Sequence, residues 1–212
     1  MSTVKKLWQA NWSFILFIGL MLVFRSSIAD WYHVPSASME PNLIGGDRIF
    51  VNKTAYALEV PFTDIKLFST GHVNRGDIVT INSSAADEHL VKRVIGLPGD
   101  NIAMVDNRLF INDSPVKYQL ITQSLRNEAL EETFYTVQIT QQSHPLSSFG
   151  PITVPAGHVL VLGDNRNHSA DSRVYGFIPI AELQGKALKI VASFDKTKYW
   201  LPRSDRWFKP LT

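Results

Sequence analysis

The chain has 212 residues, of which 45% are hydrophobic and 19% are charged, so it is long enough to bury a core and too apolar to be disordered. Its net charge of +2 at pH 7, without a basic helix, excludes the usual footprint of a nucleic-acid-binding protein. It contains no cysteine, which excludes disulfides, thiol nucleophiles and cysteine metal sites.

The first predicted element is an apolar helix that spans a membrane. Between Leu7 and Ile28 only three residues are strongly polar, and a helix of this length reaches roughly 33 Å, enough for a bilayer core of about 30 Å. Tryptophans flank the run and two lysines precede it, which favours a cytoplasmic N-terminus. We therefore predict a cytoplasmic N-terminus and anchor over residues 1–30, with residues 31–212 outside.

A cleaved signal peptide is the alternative interpretation of this segment. The basic start, the apolar stretch from Phe14 to Phe24 and the small residues Ser27 and Ala29 follow the required order. Arg25 lies between the apolar stretch and the cleavage site, where a cation is unfavourable. The anchor is therefore the preferred prediction.

The rest of the chain is predicted to be mainly β, because short runs rich in valine, isoleucine and phenylalanine alternate with turn residues. Tight turns are predicted at Leu97 to Asp100 and at Asp106-Asn107, and weak helices at Ser124 to Glu132 and Ile180 to Leu183. A polar stretch at about 113–150 is predicted to be a small insertion or lobe. The predicted strands are Arg48 to Val51, Asp77 to Ile81, Leu90 to Gly96, Ile102 to Val105, Leu109 to Ile111, Phe134 to Ile139, His158 to Leu162 and Ala187 to Ser193.

The stretch VPSASMEP, residues 34–41, places two serines between prolines just after the predicted anchor. A serine in such a segment is usually a turn residue, and it becomes a nucleophile only if a base takes its proton. One candidate base is His168, in the polar cluster GDNRNHSADSR. With Ser38 and Asp171 it would complete a catalytic triad.

Lys92 is the second candidate base. In the stretch HLVKRVIGLPGD it interrupts an apolar strand together with Arg93, and strand alternation places the two on opposite faces. If the face of Lys92 is buried, loss of water lowers the pKa of its amine and leaves a neutral general base. The alternative is that Lys92 extends to solvent or pairs with a carboxylate, whereas Arg93 stays protonated in either case.

No metal or other cofactor is predicted for the polar cluster. Counted from Asp164 as a calcium loop, the sixth residue is Ser169 where glycine is required, and the twelfth is Tyr175 where glutamate is required. The cluster is otherwise typical of a loop that bonds to its own backbone.

Four motifs, in this order, resemble those of the type I signal peptidases, membrane-bound serine peptidases that remove signal peptides from exported proteins. They are LMLVFRSSIADWYHVPSASMEPNLIGGDRIFVNKTAY (Leu20 to Tyr56), RGDIVTI (Arg75 to Ile81), HLVKRVIGLPGD (His89 to Asp100) and GDNRNHSADSRVYGFIP (Gly163 to Pro179). The resemblance implies a mainly β, barrel-like or sheet catalytic domain after one transmembrane helix. It also implies a compact domain, because the stretch between Asp100 and Gly163 is short for the family.

The resemblance implies a role for each matching residue. Ser38 matches the nucleophile and Lys92 the general base, while Ser36 matches a hydroxyl that helps the backbone of Ser38 to form the oxyanion hole. Ser169 matches the serine that orients the lysine. The remaining supporting positions are the ion pair of Asp171 and Arg173 and the structural acid Asp164.

The resemblance also implies partners and a location. The partners are the signal peptides of secreted preproteins and the lipid bilayer, without nucleic acid, and the protein is expected to be a monomer of the plasma (inner) membrane with its catalytic domain on the outer face. Small substrate residues at positions −1 and −3 would enter shallow pockets. The residues expected around these pockets are Val34, Met39, Leu43, Ile49 and Val91.

The sequence departs from the commonest family pattern in small ways. Ser-Ala-Ser replaces the frequent Ser-Gly-Ser, and His168 occupies a position that varies in the family, which weakens the triad hypothesis. Two other hypotheses remain: a self-cleaving Ser-Lys regulator, which would need a partner domain in place of the anchor, and a catalytically inactive module that binds secreted chains.

Overall fold

The chain begins with helix α1 (Thr3–Ser27), which covers most of the apolar N-terminal run. The computed structural model describes residues 3–63, 65–131, 133–140 and 144–211, with side chains from residue 11 onward. The start of the predicted membrane span, Leu7 to Ala10, lies outside the described side chains. Within the described part of the chain, no helix is both long enough and apolar enough to cross a membrane.

After α1 the described residues form mainly strands, which confirms the predicted β class. They carry one further α-helix, α2 (Ser172–Tyr175). The strands are β1 (Ala29–His33), β2 (Asp47–Asn52), β3 (Ala57–Glu59), β4 (Lys66–Ser69), β5 (Ile78–Ser83), β6 (Glu88–Gly96), β7 (Asn101–Val105), β8 (Arg108–Ile111), β9 (Ser114–Pro115), β10 (Lys117–Leu120), β11 (Leu125–Leu130), β12 (Thr133–Gln138), β13 (Phe149–Thr153), β14 (His158–Leu162), β15 (Ile178–Pro179), β16 (Leu183–Asp195) and β17 (Leu201–Pro202).

The largest sheet has eight strands and brings together distant parts of the chain. Its order is β1-β2-β16-β5-β6-β14-β15, and β17 pairs with β16. All of these neighbours are antiparallel, and β6 lies between β5 and β14. This central position explains why both faces of β6 are buried from Lys92 to Gly96. Smaller sheets are formed by β10-β11-β12, by β13-β7-β8-β9 and by β3-β4.

The eight predicted strands are all present with slightly shifted ends, and both predicted turns form. The N–H of Asp100 donates to the carbonyl of Leu97 at 3.0 Å, and Gly99 takes a φ of +90°, the value that a type II turn requires at this position. Asp106 and Asn107 connect β7 and β8 with positive φ angles of 47° and 60°. Such a pair of angles fits a two-residue hairpin turn.

The predicted helix over Ser124 to Glu132 is wrong. The segment is strand β11, which pairs with β10 on one side and β12 on the other. Its alternate residues Glu128 and Leu130 are buried, and Leu130 joins a hydrophobic cluster with Ile95 of β6. This burial stabilises the strand although its sequence, LRNEAL, has little β propensity. The second predicted helix is a short 3₁₀ turn, Ile180–Glu182.

A second hydrophobic cluster lies directly beneath the serine-containing segment. It is built from one face of β2 together with residues that precede and follow Ser38 in the chain. This packing fixes the segment between β1 and β2, together with backbone hydrogen bonds such as the one from the N–H of Gly46 to the Val34 carbonyl. The buried members are Val34, Met39, Leu43, Ile49, Val51, Ile78, Ala187 and Ile190.

Candidate active site

The structure brings Ser38 and Lys92 together, although 53 residues lie between them in the sequence. The Nζ atom of Lys92 lies 2.9 Å from the Oγ atom of Ser38, which is a hydrogen-bond distance. Ser38 follows β1 in a tight turn, and Lys92 projects from the middle of β6. Two sequence segments that were singled out separately therefore meet at one pair of atoms.

Lys92 is almost completely removed from solvent, with 3% of its surface exposed, and Ser38 is 9% exposed. Burial lowers the pKa of the Lys92 amine, and this effect outweighs the opposite influence of the Asp171, Glu88 and Asp164 carboxylates. Desolvation acts in this direction because it disfavours the charged ammonium. The neutral amine, which can accept a proton, is therefore more populated than for a lysine in water.

Ser36 also contacts the nucleophile candidate. Its Oγ lies 3.3 Å from the Oγ of Ser38, and the side chain is exposed at the surface of the site. Among the described groups, the backbone N–H of Ser38 donates no hydrogen bond. This N–H and the Ser36 hydroxyl are thus two donors that a substrate oxygen next to Ser38 can use.

The polar loop from Gly163 to Arg173 holds the Ser38 turn from behind. The N–H of Asn165 donates to the carbonyl of Ser38 at 3.0 Å, and its side-chain amide donates to the carbonyl of Ala37 at 3.1 Å. Only glycine fits at position 163, because a Cβ there would overlap the Ser169 hydroxyl and the Ser38 carbonyl oxygen. The contact between Asn165 and the Ser38 turn was not predicted from the sequence.

Asp171 and Arg173 form the ion pair that the family resemblance implied. The carboxylate of Asp171 is buried and accepts from the Arg173 guanidinium at 2.8 and 2.7 Å. It also accepts from the N–H of Gly163 at 3.0 Å, and it caps the N-terminus of α2. The pair therefore fixes both ends of the polar loop.

Ser169 is buried close to this pair, but its expected hydrogen bond to Lys92 is not formed. Its Oγ has no hydrogen-bond partner among the described residues. The position of Ser169 beside Gly163 and the Ser38 carbonyl keeps the hydroxyl within the site. Its role in orienting the lysine stays a prediction.

Asp164, expected to be a structural acid, pairs with Arg93. The guanidinium donates to both carboxylate oxygens at 2.9 Å, and both side chains are buried. Burial alone would lower the pKa of Arg93, but the Asp164 carboxylate more than offsets this and keeps it raised. The pKa values of Lys92 and Arg93 are thus shifted in opposite directions, and among the described residues of the site Arg93 has a bidentate carboxylate partner while Lys92 does not.

Another buried ion pair joins β11 to the polar loop and was not predicted. Arg166 donates to both oxygens of Glu128 at 2.7 and 2.6 Å, and neither side chain is exposed. Burial would raise the pKa of Glu128, yet Arg166 and the hydroxyls of Tyr118 and Tyr135 hold it below its ordinary value. The sequence signal was weak, since Glu128 lies in a polar stretch that resembled an insertion.

A cleft of about 420 Å³ opens in front of Ser38 and Lys92. Of the five residues expected around the substrate pockets, Val34, Met39 and Val91 line this cleft. Leu43 and Ile49 do not line it, because they are completely buried in the hydrophobic cluster below. The remaining lining residues are Tyr32, His33, Pro35, Ser36, Ser38, Glu88, His89, Leu90, Lys92, His168 and Ala170.

His168 lines the same cleft, but the structure does not assemble the alternative triad. Within the described residues, no hydrogen bond links His168 to Ser38 or to Asp171. The Asp171 carboxylate is already occupied by Arg173 and Gly163. A triad base would need Asp171 to accept from its imidazole.

Comparison with known proteins places these residues in a family. A family model described as "Signal peptidase, peptidase S26" matches residues 7–192. A signal peptidase I of Pseudomonas fluorescens is 32% identical over 206 residues, which cover 88% of this chain and 72% of that protein. A signal peptidase I of Bacillus licheniformis is 36% identical over 174 residues, which cover 81% and 82% of the two chains.

A crystal structure of a signal peptidase I from Enterococcus faecalis is also similar. It is 28% identical in sequence, and the match covers 54% of this chain and 96% of that chain with a TM-score of 0.38.

Proposed function

Because this chain belongs to the signal peptidase family, peptidase S26, whose members named signal peptidase I are serine endopeptidases, we propose that it removes N-terminal signal peptides from exported preproteins. Ser38 is the nucleophile and Lys92 is the general base. The scissile bond follows small residues at positions −1 and −3.

The observation that carries this proposal is the 2.9 Å distance between the Lys92 amine and the Ser38 hydroxyl, two buried side chains that line the cleft. A serine hydroxyl needs a neighbouring base within hydrogen-bond reach. An amine whose pKa is lowered by burial can act as that base near neutral pH. No other titratable side chain makes a hydrogen bond to Ser38 within the described residues.

Acylation begins when Lys92 takes the proton of Ser38 and the Oγ atom attacks the carbonyl carbon of the residue at −1. The developing oxyanion accepts hydrogen bonds from the N–H of Ser38 and the Ser36 hydroxyl, and one such donor is worth roughly 3–4 kcal/mol in other peptidases. The Lys92 ammonium then gives its proton to the leaving amine as the peptide bond breaks. The mature chain departs, and the signal peptide remains esterified to Ser38.

Deacylation uses the same lysine. Lys92, neutral again, removes a proton from a water molecule as that water attacks the ester carbonyl, and the proton returns to the Ser38 oxygen when the ester bond breaks. The Asn165 N–H and amide hold the Ser38 turn during both steps. The buried carboxylates that act on Lys92, Asp171 and Asp164, are each paired with an arginine.

The proposed specificity follows from the walls of the cleft. Val34, Met39 and Val91 give it an apolar surface close to Ser38, which suits alanine-sized side chains and excludes charged ones. The substrate would add in an extended form to residues 88–92 of β6, which pair with β5 on one side and precede the residues that pair with β14 on the other, as in β-augmentation.

We place the enzyme at the plasma membrane, with α1 as its anchor and residues 31–212 on the outer face as a monomer. The exposed apolar side chains of α1, including Phe14, Phe17 and Leu20, would contact lipid. Holding enzyme and substrate in one membrane raises the effective concentration of each for the other.

The experiment is cleavage of a preprotein with alanine at −1 and −3 by the full-length protein in detergent, with the new N-terminus identified by mass spectrometry. We expect one cut after the −1 alanine, no cut by Ser38→Ala, and normal cutting by Ser114→Ala, which removes an exposed hydroxyl. Binding of the preprotein without any cleavage by the wild type would favour the inactive binding module instead.

A further inference from the structure

Beyond the cleft in front of Ser38, the structure contains a second groove of about 420 Å³. Its wall is formed by residues that directly follow the nucleophile, together with the end of β16 and the turn after it. The groove is lined by Glu40, Pro41, Ile44, Gly45, Gln138, Asp195, Lys196, Thr197 and Arg203.

The cleft and the groove lie along one continuous segment of chain. Residues 32–36 together with Ser38 and Met39 line the cleft, whereas Glu40, Pro41, Ile44 and Gly45 line the groove. Gln138 of the groove is bridged to Asn165, whose N–H donates to the Ser38 carbonyl. The change from cleft to groove therefore occurs between Met39 and Glu40, directly after the residue that follows Ser38.

A charged residue of the groove also acts on a residue of the cleft. Burial and the neighbouring Lys196 ammonium both lower the pKa of the His33 imidazole. His33 lines the cleft and Lys196 lines the groove. One residue of the groove is therefore within electrostatic range of one residue of the cleft.

We propose that this groove binds the first residues of the mature protein, those that follow the scissile bond, and that Glu40 makes it prefer a basic side chain over an acidic one. The inference rests on the proposed function, since it assigns the cleft to the signal-peptide side of the bond. Glu40 is two positions from Ser38, a reach of at most about 7 Å along the backbone, so the preference applies to positions +1 to +3.

The charges of the groove support this choice of ligand. Asp195 and Arg203 neutralise each other at 3.2 Å, and Arg203 also donates to the Gly45 carbonyl. Within the described residues the Glu40 carboxylate makes no ion pair, and Lys196 contacts only the ring of Trp200. The groove thus presents one anionic and one cationic group to a bound chain.

The test uses the full-length protein and two peptide substrates that share one signal sequence and differ only in having lysine or aspartate at +2. We expect kcat/KM to be about two- to fivefold higher for the lysine substrate, the usual size of an exposed charge pair. The preference should disappear at 1 M salt, where the Debye length is about 3 Å. A third substrate, with a chromogenic amine in place of the mature residues, should show a higher KM.

Two variants and one control locate the effect. Glu40→Gln should reduce the ratio of the two kcat/KM values to about one, while Lys196→Gln should increase it. Lys198→Gln removes an exposed charge from the same turn but outside the groove, and it should leave the ratio unchanged.

The outcomes separate the inference from the function on which it rests. A wild-type ratio near one, or a ratio that neither groove variant changes, overturns the inference while cleavage itself upholds the proposed function. Failure of the wild type to cleave any of the three substrates overturns both.

Discussion

At the scale of single residues, the proposed site depends on a lysine whose pKa is shifted in the opposite direction from that of its neighbour. Lys92 and Arg93 are adjacent on β6 and both are buried. Asp164 holds Arg93 in a bidentate ion pair, whereas Lys92 contacts a hydroxyl and makes no ion pair with any residue that the structure describes. The same strand therefore supplies a structural cation and a proposed base.

Removing this base should abolish the reaction. We predict that Lys92→Ala lowers kcat by about 10²- to 10⁴-fold, the usual contribution of a general base, while His168→Ala retains most of the activity. Cleavage of one preprotein by both variants is the measurement. The reverse pattern, with a severe loss only in His168→Ala, would restore the triad.

The rate should depend on pH in one direction. Because burial lowers the pKa of Lys92, the reactive neutral amine is present above this pKa and is lost as the pH falls through it. We predict a kcat/KM that decreases with acidification in a sigmoidal curve of one proton. A rate that stays flat between pH 5 and pH 9 would argue against lysine as the base.

At the scale of elements, the polar loop and strand β11 position the nucleophile. The loop reaches the Ser38 turn through Asn165 and Gly163, and β11 holds the loop through Glu128 and Arg166. Because these contacts are buried, we expect a substitution at one of them to shift the Ser38 turn.

We predict that Gly163→Ala inactivates the protein and lowers its free energy of unfolding by about 1–3 kcal/mol. The added methyl group would push against the Ser169 hydroxyl and the Ser38 carbonyl. Gly150→Ala is the matched control, because nothing lies within 4 Å of a Cβ at that position. Equal activity of the two variants in the cleavage assay would show that the loop does not position Ser38.

Glu128→Gln should destabilise the fold by about 3–5 kcal/mol, the usual cost of leaving a buried partner charge uncompensated. Denaturant unfolding at pH 7 measures this effect, with Glu131→Gln as a control on a side chain that is 63% exposed. The folded-state pKa of Glu128 is lowered, so its contribution is complete above the ordinary glutamate value and is lost as the pH falls through the folded value. The difference between wild type and Glu128→Gln should therefore shrink in acid.

The sequence correctly predicted those strands whose apolar pattern agrees with their burial in the folded protein. Strands such as β5 and β14 are rich in valine together with isoleucine or leucine and lie inside the sheet, so pattern and burial coincide. Strand β11 was mistaken for a helix because its burial comes from ion pairing and from neighbours distant in the chain. In the same way, the sequence marked Asn165 and Arg166 only as members of the polar cluster, since their contacts with Ser38 and Glu128 are not encoded by local sequence.

At the scale of the whole molecule, the fold buries the Lys92 amine within its largest sheet. Strands β5 and β14 flank β6, the hydrophobic cluster beneath Ser38 seals the site from below, and the polar loop seals it from behind. The family motifs identified Ser38 and Lys92, but only the complete arrangement supplies the dry surroundings that such a base requires.

The most direct test is the pKa of Lys92 itself, measured by NMR on full-length protein with ¹³C-labelled lysine side chains and assigned with Lys92→Arg. We predict that one lysine signal titrates well below the ordinary value of about 10.4 and that this signal is absent in the variant. A Lys92 signal that titrates together with the surface lysines would contradict it.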